Sequence, residues 1–309
     1  MSEIITTSSR PFLTDGGLET TLIFHHDIDL PEFAAFHLLR DDPGRTTLRD
    51  YFHTYLEIAA ELDTGFILES PTWRANPDWA QKIGYENDEL IDANKKSIDD
   101  LKSIRDTFAD RVHTIPISGC IGPRGDGYSP STQMSPDESA SYHEHQVRTF
   151  TDAGVDLISA MTLNYVEEAI GIANAAQAAG VSSVISYTVE TDGRLPTGET
   201  LGDAIRRTDA ETNNAASYFM INCAHPTHFE DAFEGDEDWT HRIRGIRANA
   251  SALSHEELDN SETLDDGDPE DLAQRICELQ KLLPNLNVYG GCCGTDHRHI
   301  RAIGEACAS

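Results

Sequence analysis

Hydrophobic and polar positions along this chain follow two alternating patterns. Short apolar or β-branched runs, typical of buried strands, alternate with longer segments in which apolar residues repeat at helical spacing. The strand-like runs cover residues 11–15, 65–69, 113–121, 157–162, 183–189, 218–223, 243–248 and 286–289. The helical segments cover residues 48–62, 87–108, 136–153, 165–179, 201–209, 269–283 and 297–307. This alternation predicts repeated strand-helix units around a parallel sheet.

The number of units favours one architecture. Eight strand-like runs within 309 residues predict the α/β class and, within it, a (β/α)8 TIM barrel that forms a single catalytic domain over residues 1–309. An open doubly wound sheet is the alternative, but no Gly-x-Gly-x-x-Gly turn follows the first strand. Because the chemistry of such barrels lies at the carboxyl ends of the strands, polar residues that end the strands become candidate site residues.

Charge and composition restrict the partners. The formal net charge is −31, and the acidic residues crowd into segments 230–238 and 256–271. Phosphate surfaces would repel such a protein, which argues against nucleic acids and anionic membranes as partners. No apolar stretch is long enough to cross a bilayer. We also hypothesise that the acidic excess reflects a saline habitat, because salt screens self-repulsion; a melting temperature that does not rise between low and molar salt would argue against this.

Three cysteines suggest a zinc site. Cys223 ends the sixth predicted strand, and Cys292 and Cys293 follow the eighth, so their thiols should meet at one rim of the barrel. Zinc favours thiolate ligands, and three protein ligands leave its fourth position open for a substrate. Neighbouring residues on a strand point to opposite faces, so the pair can converge only where glycines such as Gly290, Gly291 and Gly294 loosen the backbone.

The other cysteines fit a packing role. Cys120, Cys277 and Cys307 are isolated in apolar or helical contexts, and cysteine is often buried. A disulfide between Cys292 and Cys293 is an alternative to the zinc site. No secretory signal is visible at the amino terminus, so we expect free thiols and a cytoplasmic location.

Four motifs together resemble the homocysteine S-methyltransferase family. They are Asp-Gly-Gly-Leu-Glu-Thr at 15–20, Ser-Gly-Cys-Ile-Gly-Pro at 118–123, Asn-Cys at 222–223 and Gly-Gly-Cys-Cys-Gly at 290–294. The resemblance implies a zinc-dependent barrel, whose relatives use betaine, S-methylmethionine, S-adenosylmethionine or a corrinoid as methyl donor. It also implies that Asp15, with the backbone at Gly16 and Gly17, holds an amino-acid substrate.

One position departs from the family pattern. The resemblance implies a glutamate before the threonine at the end of the fourth strand, where it would bind the substrate amine, but this chain has Met161 before Thr162. Either Glu69 or Glu190, at neighbouring rim positions, replaces that charge, or the thiol is not homocysteine. Further rim candidates are Thr162 for the substrate, Arg124 and Arg194 for carboxylates, and Trp73 and Tyr128 for a methylated cation.

These observations lead to a functional hypothesis. We expect a zinc-dependent S-methyltransferase that moves a methyl group from a sulfonium or quaternary ammonium donor to homocysteine, giving methionine, or to a related thiol. Its partners would be a small-molecule thiol and a methyl donor, and the sequence leaves open whether identical chains form a homo-oligomer. Two alternatives remain, namely a non-catalytic zinc-binding or metabolite-sensing barrel and a methyltransferase that receives its methyl group from a separate corrinoid protein.

Overall fold

The computed structural model describes residues 2–8, 10–130, 132–233, 237–261 and 263–307, with the backbone alone for 2–4 and 259. Within these ranges, nine parallel strands form one sheet in the order β2-β1-β9-β8-β7-β6-β5-β4-β3. The strands are β1 Phe12–Leu13, β2 Gly65–Phe66, β3 Leu68–Glu69, β4 Ile117–Ile121, β5 Leu157–Leu163, β6 Ser183–Tyr187, β7 Ala216–Asn222, β8 Ile243–Ala248 and β9 Val288–Gly291. Parts of the acidic segments, residues 234–236 and 262, lie outside the described ranges.

The sheet closes through the segment that contains β2 and β3. One residue, Ile67, separates these two strands, and its N–H donates to the carbonyl of Leu13 in β1 at 2.9 Å. On the other side, Leu68 donates to the carbonyl of Pro116 beside β4 at 2.9 Å. The segment therefore acts as one barrel strand that pairs on both edges. Counted this way, the barrel has eight strands, and the predicted (β/α)8 TIM-barrel fold is confirmed.

Helices surround the sheet and follow most of the strands. They are α1 Ser2–Thr7, α2 Leu18–Thr20, α3 Asp42–Glu61, α4 Pro77–Lys82, α5 Asn87–Phe108, α6 Pro136–Ala153, α7 Val166–Ala179, α8 Leu201–Thr212, α9 His255–Asp259, α10 Pro269–Leu279 and α11 His297–Cys307. The predicted bounds of α5, α6 and α11 are confirmed. Local signals fix such bounds: α6 begins after a capping box made by Ser135 and Glu138 and ends at Gly154, whose φ is +78°.

The two ends of the barrel interior differ in chemistry. Toward the amino ends of the strands, the interior is apolar, with Phe12, Leu157, Tyr218 and Val288 packed together. Ile5 of α1 is fully buried against this cluster, so α1 covers that end. Further along the strands, charged and polar side chains replace the apolar ones, as the next subsection describes. No helix in the described ranges is long and apolar enough to cross a membrane.

The structure corrects the expectation for two cysteines. Cys277 on α10 and Cys307 on α11 are joined as a disulfide, although both were expected to be unpaired packing residues. The two helices lie side by side on the outside of the barrel, and the cysteines face each other across them. Helical periodicity does not reveal which faces of two helices meet, so this pairing could not be read from spacing. Cys120 remains a free, buried thiol, as expected.

Candidate active site

Three cysteine side chains meet at the carboxyl edge of the barrel. Cys223 directly follows β7, and Cys292 and Cys293 directly follow β9. Their Sγ atoms all lie within 4.8 Å of one another, with 4.0 Å between those of Cys223 and Cys293. In this structure Cys223 and Cys292 are joined as a disulfide, not the neighbouring pair considered from the sequence, so metal binding requires its reduction to thiolates. The cluster has a donor set that could hold a metal ion.

Backbone conformation at the strand ends positions this cluster. Cys223 has a φ of +54°, in the left-handed region that non-glycine residues seldom occupy. A residue in this conformation cannot continue a strand, so β7 ends at Asn222 and the chain turns at Cys223. Thr162, near the end of β5, also has a positive φ, +61°. Such strained positions persist where the surroundings fix them, and they often occur at functional sites.

Asn222 links the strained residue in β5 to the cysteines. Its Oδ1 atom accepts hydrogen bonds from the N–H of Thr162 at 2.8 Å and from the hydroxyl of Ser186 at 2.6 Å. Its Nδ2 atom donates to the hydroxyl of Thr162 at 2.8 Å and lies 3.9 Å from Sγ of Cys292. The amide is therefore held in one orientation, with a donor directed at a sulfur. Tyr128 supplies a second polar contact, with its hydroxyl 4.0 Å from Sγ of Cys293.

The loop after β1 packs directly on the loop that carries the cysteine pair. A Cβ atom at Gly17 would lie 2.5 Å from the carbonyl oxygen of Cys292, and one at Gly16 would lie 2.8 Å from that of Thr295. The N–H of Gly17 donates to the Thr295 carbonyl at 3.0 Å. These glycines therefore allow a close approach between two loops. The Gly17 N–H is already committed here, although the resemblance assigned this backbone to the substrate.

The glycines around the cysteine pair serve two different purposes. Gly294 alone among the three has a left-handed φ, +80°. Gly290 and Gly291 lie in β9, where a Cβ atom would collide with the hydroxyls of Thr14 and Thr295, respectively. The expectation that all three loosen the backbone is therefore corrected, because the first two make room for neighbouring side chains instead.

A buried arginine pairs with two acids in a cavity that the cysteines also line. Arg247 of β8, only 8% exposed, donates to Asp15 Oδ1 at 2.7 Å and to Glu69 Oε2. Its Nε atom donates to the carbonyl of Gly291 at 3.1 Å. The remaining carboxylate oxygens also have donors, because the Tyr51 hydroxyl lies 3.1 Å from Asp15 Oδ2 and the Ser118 hydroxyl lies 3.4 Å from Glu69 Oε1. We call Asp15, Arg247 and Glu69 the ion triad.

Burial and charge act in opposite directions on the ion triad. Burial raises the pKa of the Asp15 and Glu69 carboxyls, and the guanidinium of Arg247 opposes that rise. Burial alone would lower the pKa of Arg247, but the two acids raise it above its usual value. The guanidinium therefore stays charged. Sequence reasoning missed Arg247, and the available signal was the pair of charged residues, Arg244 and Arg247, within the strand run 243–248.

A cavity connects these groups. It has a volume of about 80 Å³, and the three cysteines, the ion triad, Glu19, Met161 and Thr162 contribute to its lining. A second cavity of about 350 Å³ shares Trp73, Tyr128 and Cys293 with the first. The two aromatic residues, considered from the sequence as partners of a methylated cation, thus lie beside the cysteines.

Other candidates lie elsewhere or play other parts. Glu190 lines neither of these two cavities, so the structure does not bring it to the cysteines. Arg124 forms an ion pair with Asp78 at 2.8 Å, and Arg194 lines a separate cavity. Thr162 lies within β5 rather than after it, because this strand continues to residue 163.

The fold and this cluster define a class, that of parallel barrels with a thiol-rich site at the carboxyl edge. Comparison with known proteins identifies the family within it. The family model described as Homocysteine S-methyltransferase matches residues 12–307. The chain therefore belongs to the homocysteine S-methyltransferase family, as the sequence motifs indicated. It is an enzyme, a methyltransferase that acts on a thiol.

Solved structures support the fold assignment. The metallated form of the homocysteine methyltransferase MmuM from Escherichia coli is 18% identical, covers 98% of both chains and has a TM-score of 0.75. The oxidized form is 17% identical with a TM-score of 0.75, covering 97% of this chain and 96% of MmuM. The apo form is 18% identical with a TM-score of 0.69 and covers 97% of both. The search of curated proteins gave no match.

Proposed function

We propose that this enzyme is a zinc-dependent S-methyltransferase that transfers a methyl group from a sulfonium or quaternary ammonium donor to homocysteine or a related thiol. The observation that carries the proposal is the convergence of the Cys223, Cys292 and Cys293 sulfurs within 4.8 Å at the edge of the barrel. In reduced form these are three thiolates, which suit zinc and leave a fourth position open. Zinc bound there would supply one effect, the deprotonation of a substrate thiol at neutral pH.

Residues around the cluster would support the reaction. Asn222 and Tyr128 can donate hydrogen bonds to the sulfurs of Cys292 and Cys293, and so hold these ligands in place. Trp73 and Tyr128 present aromatic rings to the cavity, which favours a methylated cation. Arg247 holds Asp15 in a fixed position, where the resemblance places the substrate amine.

The chemistry is a simple displacement. A bond forms between the substrate sulfur and the methyl carbon, while the bond from that carbon to the donor sulfur or nitrogen breaks and its electron pair stays with the donor. The thiol proton goes to solvent. Because the thiol is already ionised, no general base is needed. We also place the enzyme in the cytoplasm as a single catalytic domain, because cytoplasmic thiols are kept reduced and the ligands must be thiolates.

Metal analysis combined with a methyl-transfer assay tests the proposal. The reduced protein should contain about one zinc per chain and convert homocysteine with at least one of S-methylmethionine, S-adenosylmethionine and glycine betaine. Methylcobalamin is included as the corrinoid donor, and turnover with it alone would favour a separate corrinoid partner. Family membership favours an enzyme over a non-catalytic module. A zinc-loaded protein that is inactive with every donor would contradict the proposal.

A further inference from the structure

Glu19 is an acidic side chain in the same cavity as the cysteines. It lies in the short helix α2, after the loop that packs on Cys292, and it lines the cavity together with the three sulfurs. Its carboxylate accepts a hydrogen bond from its own backbone N–H, and it forms no ion pair in the described ranges. A carboxylate in a partly enclosed cavity without a cationic partner is unfavourable unless it is protonated or meets a cation.

The other two acids of the cavity share the charge of Arg247. All four carboxylate oxygens of Asp15 and Glu69 accept hydrogen bonds, two from Arg247 and one each from Tyr51 and Ser118. A substrate cation would have to compete with a guanidinium that is buried and charged. At the position where the family resemblance implies a glutamate, this chain has Met161, whose side chain packs against apolar neighbours. Glu19 is therefore the acid of this cavity that forms no ion pair in the described ranges.

The surroundings of Glu19 suit a positive charge. Phe33, Trp73 and Tyr128 line the same cavity, and the negative faces of aromatic rings attract cations. The guanidinium of Arg74 lies 4.4 Å from the centre of the Trp73 ring and His255 stacks on Tyr128, so each of these two rings has one face covered. A carboxylate combined with aromatic walls is a recognised arrangement for ammonium and other onium groups. Burial also raises the pKa of Glu19 to about 7, and Asp15 adds to this effect, while Arg247 and Arg74 oppose it.

We propose that Glu19 binds the positively charged group of a substrate in this cavity. The inference rests on the proposed function and deepens it by naming a specificity-determining residue. Two sources share the required chemistry, the ammonium group of an amino-acid thiol and the onium group of a methyl donor. If the cation is the ammonium group of the thiol substrate, Glu19 compensates for Met161 at the position where the family resemblance implies a glutamate.

Calorimetric binding to the zinc-loaded enzyme tests the inference without requiring turnover. Glu19→Gln removes the charge and keeps the shape, and Glu19→Asp keeps the charge. The matched control is Glu32→Gln, which removes an exposed acid outside both cavities. For the thiol arm, homocysteine is compared with 4-mercaptobutyrate, which lacks the ammonium group. For the donor arm, glycine betaine is compared with 3,3-dimethylbutyrate, an isostere that keeps the carboxylate and lacks the positive charge.

We expect Glu19→Gln to weaken binding of the cationic member of at least one pair about tenfold, because a charge-assisted contact is lost. Binding of the member without the positive charge, and the zinc content, should stay unchanged. The affected arm identifies the source of the cation, and Glu19→Asp should restore part of the affinity. The inference is overturned if Glu19→Gln binds every probe as Glu32→Gln does. The proposed function still stands in that case, provided that the wild-type enzyme binds zinc and turns over its substrates. A wild-type enzyme without zinc or turnover contradicts the proposed function instead.

Discussion

The two ends of this barrel are built from the same strands but from different chemistry. At the amino end, side chains such as Phe12 and Val288 form an apolar cluster that Ile5 of α1 covers. At the carboxyl end, the same sheet presents the ion triad and the cysteines. The first end is packed with buried apolar side chains and stabilises the fold by that burial. The second end holds charges and strained backbone, which can bind and react.

Removing a thiol from the reactive end should have the largest effect. We expect Cys223→Ala to abolish zinc binding and to lower methyl transfer by about a thousandfold or more, because metal-ion catalysis contributes several kcal/mol. The control is the double variant Cys277→Ser with Cys307→Ser, which removes two thiols from the outer helices. This control should keep its zinc and its activity. Metal analysis and initial rates measure both effects, and an active Cys223→Ala enzyme would remove this cysteine from the site.

Breaking the ion triad should cost stability. Arg247→Met leaves Asp15 and Glu69 buried without their shared cation, which we expect to lower the free energy of unfolding by about 3–5 kcal/mol at neutral pH. Arg244→Met, on the same strand but only half-buried, is the control and should cost far less. Denaturant unfolding at pH 7 provides the measurement. Equal losses for the two variants would mean that the triad is not the cause.

Weakening the apolar end should separate stability from activity. Ile5→Ala leaves a cavity against Phe12 and its neighbours, and we expect a loss of about 2–4 kcal/mol in the free energy of unfolding. Turnover per folded enzyme should stay within about twofold, because the reactive groups lie at the other end of the strands. Leu253→Ala, at an exposed position, serves as control. A fall in turnover that matches the fall in stability would contradict the division between the two ends.

The smallest effect concerns pH at the reactive end. With a pKa of about 7, Glu19 is mostly protonated at pH 6 and mostly ionised at pH 8. Only the ionised form attracts a cation. The affinity of the wild-type enzyme for the cationic probe should therefore rise about tenfold from pH 6 to pH 8, where the probe is the one whose binding Glu19→Gln weakens. Calorimetric titrations of the zinc-loaded enzyme at several pH values measure the rise. The Glu19→Gln enzyme should show none, and a parallel rise in both would assign it to another group.

The sequence predicted the fold because its signals are local and repeated. Strand runs and helix caps recur along the chain, and the positions of Cys223, Cys292 and Cys293 at strand ends were enough to place them at one edge of a parallel barrel. Arg247 was missed because a strand pattern does not say which charges face each other across a closed sheet. Glu19 lies within the motif at residues 15–20, but the direction of its side chain depends on the short helix α2. The Cys277–Cys307 pairing depends on how α10 and α11 are rotated relative to each other.

The loop after β1 and the loop after β9 hold each other, so the pocket can form only after the end of the chain has been synthesised. The N–H of Gly291 donates to the carbonyl of Asp15, and Gly17 donates to Thr295, so residues about 275 positions apart hold each other. The reactive pocket therefore does not exist on a partly synthesised chain whose later residues are still in the ribosome. A protease cut just before β9 would break the peptide chain between the two loops, and their mutual hydrogen bonds and the two disulfides would then join the pieces.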